Sequence, residues 1–371
     1  MKKTHVMLLF TLAVLSILLT ACAGGAVAES WPGVSVNSDM VYLSYASHIY
    51  EIGLSNGVEK WRYPAEPENK LSFYAPAALS EDGQILAGSY NHVFYSIAQG
   101  GAQANWSFTE SKDRYIGKAL VLGDQVFAGS ADGNLYVMGL NGNPRWQYAT
   151  GHAIWGTPVS DGKAVYVASM DHHIYAFNPR SGELIWKTED LGGQIVATPA
   201  LSDSGVLYVG TFGSRTDNTE KSSRMVAVSS SNGQILWSAP IRGWVWATPM
   251  LKNDVMYFGD SEGYIYALDT DGKEIWSRQL DTSPNRAIIG EPALLEDRLY
   301  FGSKAGLLYI VNLSDGQPAI ASPVQIGGQI QAGLVAVDDK ILIAPTGLES
   351  ALLMAVNPDG ITQWSFVPQK K

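Results

Sequence analysis

An all-β chain is predicted, folded as an eight-bladed β-propeller with four antiparallel strands per blade, and three observations predict it. The first is a tryptophan that recurs at one place in a repeating unit: Trp61, Trp106, Trp146, Trp186, Trp237, Trp276 and Trp364, with Ile320 at that place in the unit between the last two. The spacings are 45, 40, 40, 51 and 39 residues, then 88, which is two units of about 44. A period in this range marks propellers and solenoids. The second is that each unit splits into short, alternating, β-rich runs separated by Asp-Gly and Asn-Gly turns, which are hairpin signals. The third is that the first and last units read like the others, without polar caps, so a closed ring is expected over an open solenoid.

Residues 1–21 read as a secretory signal peptide: Lys2 and Lys3, an apolar run from Met7 to Leu19, then small residues. That run is too short for an ordinary spanning helix, and no other apolar stretch approaches the roughly 20 residues one needs. The segment Leu19-Thr20-Ala21-Cys22 resembles the bacterial lipobox, which implies that Cys22 is the lipidated first residue of the mature chain. Two or more acyl chains anchor stably where one does not. Residues 22–30 then form the lipidated cysteine and a flexible tether, and 31–371 the propeller. The expected location is extracytoplasmic: the outer membrane facing the periplasm in a two-membrane cell, otherwise the cell surface.

Cys22 is the only cysteine, so internal disulfides and cysteine-based zinc sites are excluded. Stability must come from burial, for which a chain of 371 residues is long enough. The formal charge is −10, with no basic stripe, and this argues against a nucleic-acid partner. Contact with a membrane is expected through the anchor only, and no oligomer is predicted.

Within each unit the order is constant. An apolar stretch often holds Thr-Pro, as at Thr157-Pro158, Thr198-Pro199 and Thr248-Pro249. A strand such as Ala164–Ala168 follows, then a tight turn, clearest at Ser130-Ala131-Asp132-Gly133. The next strand carries an apolar-Tyr pair, as in Ile174-Tyr175 and Ile265-Tyr266, and a second glycine turn leads to the tryptophan strand. The tryptophans are expected between neighbouring blades. Each indole buries about 150–250 Å², or about 4–6 kcal/mol of transfer free energy as an upper bound.

Thr157-Pro158-Val159, Ala164-Val165-Tyr166-Val167, Ile174-Tyr175-Ala176-Phe177 and Gly182-Glu183-Leu184-Ile185-Trp186 together resemble the pyrroloquinoline-quinone (PQQ) type propeller repeat, and the likeness runs from Trp31 to Val367. Two branches of that family compete. The BamB-type lipoproteins imply a non-catalytic protein-interaction scaffold with envelope partners, the β-barrel assembly machinery among them, and no cofactor. The quinoprotein dehydrogenases imply oxidation with PQQ and calcium. Lipobox, length, eight complete units and acidic balance favour the first. The second lacks its adjacent cysteine pair and an assembled calcium ligand set. A third reading is an extracytoplasmic ligand binder or sensor.

Symmetry breaks most in the loops that enter the innermost strands, near the mouth of the central channel. Phe73, Trp155, Trp244 and Trp246, with Arg114, Lys118, Arg286 and Glu291, form the candidate interaction surface. Plain packing at the channel mouth is the competing reading. Lys118 and Glu291 share one aligned position in opposite units, and separate solvation is expected for both. His48, His92, Asp171, His172 and His173 occupy equivalent turns of different units and are read as solvated, as are Glu189 with Asp190; Asp260 and Glu262 are read as residues of an ordinary hairpin turn. Unit five carries a polar insertion of about ten residues within Gly213–Ser223. No catalytic residue is expected, since no nucleophile elbow, phosphate loop or dinucleotide fingerprint occurs.

Overall fold

The computed structural model describes residues 31–68, 70–73, 75–101, 103–213 and 223–369. Cys22, the residues before it, the tether, and 214–222 of the unit-five insertion lie outside the described residues. Among those described, eight four-stranded antiparallel sheets follow one another along the chain. They span 33–63, 78–108, 120–149, 159–187, 200–240, 250–279, 293–325 and 335–366, and are called blades 1 to 8. Each sheet takes its four strands from one continuous stretch, in order from the axis outward.

The middle two strands of each blade are apolar on both faces. Val165–Ala168 and Ile174–Phe177 of blade 4 are buried at every residue. A sheet buried on both faces needs a neighbour on each side, and a ring of blades provides it. The hydrophobic core is accordingly divided among the seams. Leu207 and Val209 of blade 5 pack with Tyr166 and Ala176 of blade 4, for instance, and Leu43 and Tyr50 of blade 1 pack with Leu353 and Phe366 of blade 8.

The tryptophans lock these seams. Trp61 lies on Gly101, Trp106 on Gly142, Trp146 on Gly182, Trp186 on Gly233, Trp237 on Gly272, Trp276 on Gly316, and Trp364 returns to Gly57 of blade 1. Five indole N–H groups also donate across the seam, to the backbone carbonyls of Leu140, Pro179, Ser230, Thr270 and, at closure, Leu54. Glycine is required at the receiving turn: Gly182 has φ +72°, and a Cβ there would fall 2.6 Å from Trp146 Cδ2.

A β-bulge aims each indole, a device absent from the sequence reading. In blade 4, Ala176 pairs with Trp186 and Phe177 with Leu184, so Ile185 is left over between them. The same slip precedes the tryptophan in blades 1, 2, 3, 5, 6 and 8. An extra residue re-directs the side chain after it and sends its own side chain outward.

Blade 7 corrects one expectation. The side chain pressed on Gly360 of blade 8 is Val324, whose Cγ2 would lie 2.4 Å from an added Cβ, and not Ile320. The last strand of blade 7 is only Val324–Gln325, paired with Leu307 and Leu308. Pro318 removes one ladder donor, and the chain regains its register six residues later.

Candidate functional site

The loops that precede the innermost strands converge on the propeller axis. They approach so closely that glycine is needed between them: a Cβ on Gly117 would lie 2.5 Å from Trp155 O, and one on Gly156 2.6 Å from Ala197 O. The Thr-Pro positions tie this collar together, with the Thr157 N–H donating to the Thr198 hydroxyl at 2.8 Å. The collar surrounds a cavity of about 330 Å³ to which all eight blades contribute. Its walls include Trp155, Trp246, Ile116 and Leu334, and its charged lining residues are Lys118 and Glu291.

Lys118 of blade 3 and Glu291 of blade 7 are thus brought to one space, but not into contact: no ion pair within 4.0 Å joins them. Burial pushes the Lys118 ammonium below its ordinary pKa, and the Glu291 carboxylate partly opposes that shift. The two stand apart as the sequence suggested, but Lys118 is half-buried while Glu291 is exposed. The indole N–H groups of Trp155 and Trp246 are buried and donate to no acceptor among the described residues.

Trp246 belongs to an aromatic cluster at the mouth. Its ring lies 6.5 Å from Trp244 with planes 7° apart, 5.8 Å from Trp31 and 6.4 Å from Phe212. Trp244 is 41% exposed. Sequence reasoning missed Trp31 and Phe212, although Trp31 opens the repeat region and Phe212 borders the insertion.

Three other residues of the sequence-derived surface lie elsewhere. Phe73 is fully buried in the seam between blades 1 and 2. The N–H groups of Tyr90, Ala131 and Met170 bond to the carbonyls of Ser72, Arg114 and Ala153 in equivalent blades. Phe73 therefore matches Tyr115 and Ile154, and the blade 2 loop is one residue shorter before its proline, which shifted the alignment. Arg114 is exposed and packs over the Tyr90 ring at 5.1 Å. Arg286 is held by Glu262, with Nε 3.0 Å from Oε2. Neither arginine lines the axial cavity.

The histidine turns also depart from the solvated reading. His48 is buried, hydrogen-bonded to Ser47 and packed beside Tyr50, and burial lowers its pKa. His172 pairs with Asp190. Asp260 is fully buried and accepts from the N–H groups of Gly243, Glu262 and Tyr264 and from the Tyr266 hydroxyl. Among the described residues no group of three or more His, Cys, Asp or Glu could hold a metal ion. Calcium needs several converging oxygens, and the axial cavity has one carboxylate, so its residues do not fit a calcium-held quinone.

A family model described as "Outer membrane protein assembly factor BamB" matches residues 24–172 and 170–343. The chain belongs to the BamB family. BamB of Yersinia pestis is 22% identical over 300 residues, 75% of this chain and 70% of that protein. BamB of Shewanella oneidensis is 26% identical over 214 residues, 54% of this chain and 50% of the relative. A tetrathionate hydrolase of Acidithiobacillus ferrooxidans is 27% identical over 178 residues, but these are only 35% of its own length. Among solved structures, BamB of Moraxella catarrhalis superposes with a TM-score of 0.66 at 17% identity, covering 91% of this chain and 95% of that one. A computationally designed protein, Ika8, superposes with a TM-score of 0.70 at 15% identity, covering 91% and 97%. At these identities the structural likeness is one of fold.

Proposed function

We propose that this BamB-family chain is a non-catalytic, lipid-anchored scaffold in outer-membrane protein assembly, held in the periplasm through Cys22 and docking a protein partner. Family membership across most of the propeller is the observation that carries this reading. The lipobox-like Leu19-Thr20-Ala21-Cys22 supports the anchor.

The outer rim of blades 4, 5 and 6 supports the docking role. Their bulge residues, Ile185, Leu236 and Ile275, are aliphatic and 52%, 52% and 51% exposed. Lys60, Asn105, Arg145 and Gln363 hold that place in blades 1, 2, 3 and 8. Three neighbouring blades thus break the repeat in one direction, as an interface does. Ile185 and Leu236 also border a groove of about 1080 Å³ between blades 4 and 5. Beside them runs an outermost strand with a free hydrogen-bonding edge, suited to an extended segment of a partner.

The test is mild crosslinking of the full chain in envelopes, followed by affinity capture and identification of β-barrel assembly proteins. The combined variant Ile185→Asp, Leu236→Asp and Ile275→Asp is expected to lose that capture at unchanged melting temperature. Capture unaffected by the three aspartates would reject the rim, and absence of any assembly protein would reject the role. Cys22→Ser is expected to move the protein from the membrane to the soluble fraction. A variant still in the membrane would reject the anchor.

A further inference from the structure

We propose that the axial cavity is a binding site for a small zwitterion, an amino acid or dipeptide, with its carboxylate toward Lys118 and its ammonium beside Glu291. The site is separate from the blade 4–6 rim and does not depend on the assembly reading.

The cavity's two charged side chains have opposite sign, come from opposite blades and do not touch. Among the described residues Lys118 has no hydrogen-bond acceptor or ion-pair partner, although it is half-buried in the loop collar. A half-buried ammonium without a partner is incompletely solvated, and an anion from outside the chain can complete it. The negative pole is the exposed Glu291, whose carboxylate rests against Gly333 at the mouth. A cation on one side of the cavity and an anion on the other fix the charge pattern of a ligand. A simple anion would be repelled by Glu291 and a simple cation by Lys118; a molecule carrying both charges satisfies both.

The space between the poles has apolar and aromatic side chains, Trp155, Trp246, Ile116 and Leu334, on its walls, with the polar Thr198 and Gln331 among them. At about 330 Å³ it is at the small end of ligand pockets. An amino acid or dipeptide with an apolar side chain matches both the size and the lining. The collar that forms the walls is rigid, because glycines such as Gly117 and Gly156 place backbone against backbone.

Calorimetric titration of the full chain in detergent tests this with leucine, leucyl-leucine, N-acetylleucine and leucinamide, and tryptophan emission provides a second readout. Leucine or leucyl-leucine is expected to bind. N-acetylleucine, which lacks the ammonium, and leucinamide, which lacks the carboxylate, are each expected to bind about tenfold or more weakly. Lys118→Met and Glu291→Gln are each expected to lose about the same factor for the zwitterion. Lys118→Met should also melt at the same or a higher temperature, because it removes an unpaired buried charge; Glu291→Gln, at an exposed site, keeps the test open if it does not. Equal binding of the blocked derivatives, zwitterion binding unchanged in both variants, or no binding of any probe at millimolar concentration would overturn the proposal.

Discussion

Asp132 and Asp260 occupy one turn position in blades 3 and 6, and each accepts a hydrogen bond at 2.8 Å from a tyrosine of the following strand. Their acidities nevertheless move in opposite directions. Burial raises the Asp132 pKa, but N–H donors from Lys112 and Asn134 and the Tyr136 hydroxyl outweigh it, and the net shift is downward. Asp260 is buried more deeply, and there desolvation exceeds the same kinds of donor, so its pKa rises. The consequences for stability have opposite sign. Asp132 contributes stability above its unfolded pKa and loses it as pH falls through the folded value. Asp260 contributes least at neutral pH and gains as pH falls through its raised value. Asp260→Asn turns one acceptor oxygen into a donor facing the Gly243 N–H, and is expected to cost about 2–4 kcal/mol at neutral pH. Asp132→Asn, at a less buried site, should cost about 1–3 kcal/mol. Urea midpoints measured from pH 7 to pH 3 check the signs. The gap between wild type and Asp260→Asn should widen on acidification, while that for Asp132→Asn should narrow below about pH 4. Two gaps that move together would contradict the opposed shifts.

At the scale of the blade, the indole, the bulge before it and the glycine of the next blade act as one unit. Trp146→Ala empties the space over Gly182 and removes the bond to Pro179 O, with an expected loss of about 3–5 kcal/mol. At the seam between blades 7 and 8, Val324→Ala should cost only about 1–2 kcal/mol, since a smaller side chain does the same work. Thermal and urea denaturation of the two variants check the order, and a reversed order would mean the tryptophans do not hold the seams. These parts were legible to different degrees. The seven tryptophans and the glycine turns were readable because both recur at fixed offsets within a period. The bulge was not, because pairing register leaves no residue signature: Lys60, Asn105, Arg145, Ile185, Leu236, Ile275 and Gln363 share no chemistry. Ile320 sits four residues after its glycine, as six of the seven tryptophans do, yet Pro318 breaks the ladder and hands the seam to Val324. Phe73 was assigned to the mouth by counting back from a proline, and one missing loop residue moved it into the core. Lys118 and Glu291 were placed at one aligned position, and alignment carried them to one cavity. The partial burial of Lys118 was not readable, because it depends on eight loops separated by most of the chain.

At the scale of the whole molecule, the ring closes without exchange of strands. Blades 1 and 8 are each complete sheets, so among the described residues no backbone ladder joins the first blade to the last. Closure rests on side chains: Trp364 over Gly57 with its N–H on Leu54 O, Tyr50 edge-on to Phe366 at 5.2 Å, and the apolar cluster around Leu43 and Leu353. Every other seam has a covalent linker that holds its two blades near one another when packing loosens. The closing seam has none, and re-forming it from an opened ring must bring together points some 310 residues apart. Loop-closure entropy grows with that separation. Trp364→Ala should therefore cost more than the same change at Trp186, where packing and the cross-seam bond are alike but the linker remains. The loss should also be local before it is global, since blades at an open seam have an uncovered apolar face and the lowest opening free energy. Hydrogen exchange measured on both variants checks this. In Trp364→Ala, the amides of Met40–Tyr45 and Leu353–Val356 are expected to exchange ahead of those in Val165–Ala168 and Val206–Thr211. Uniform acceleration around the ring, or equal destabilisation by the two substitutions, would show that the closing seam behaves as the others do, and that the opposing faces of blades 1 and 8 are self-sufficient without the indole between them.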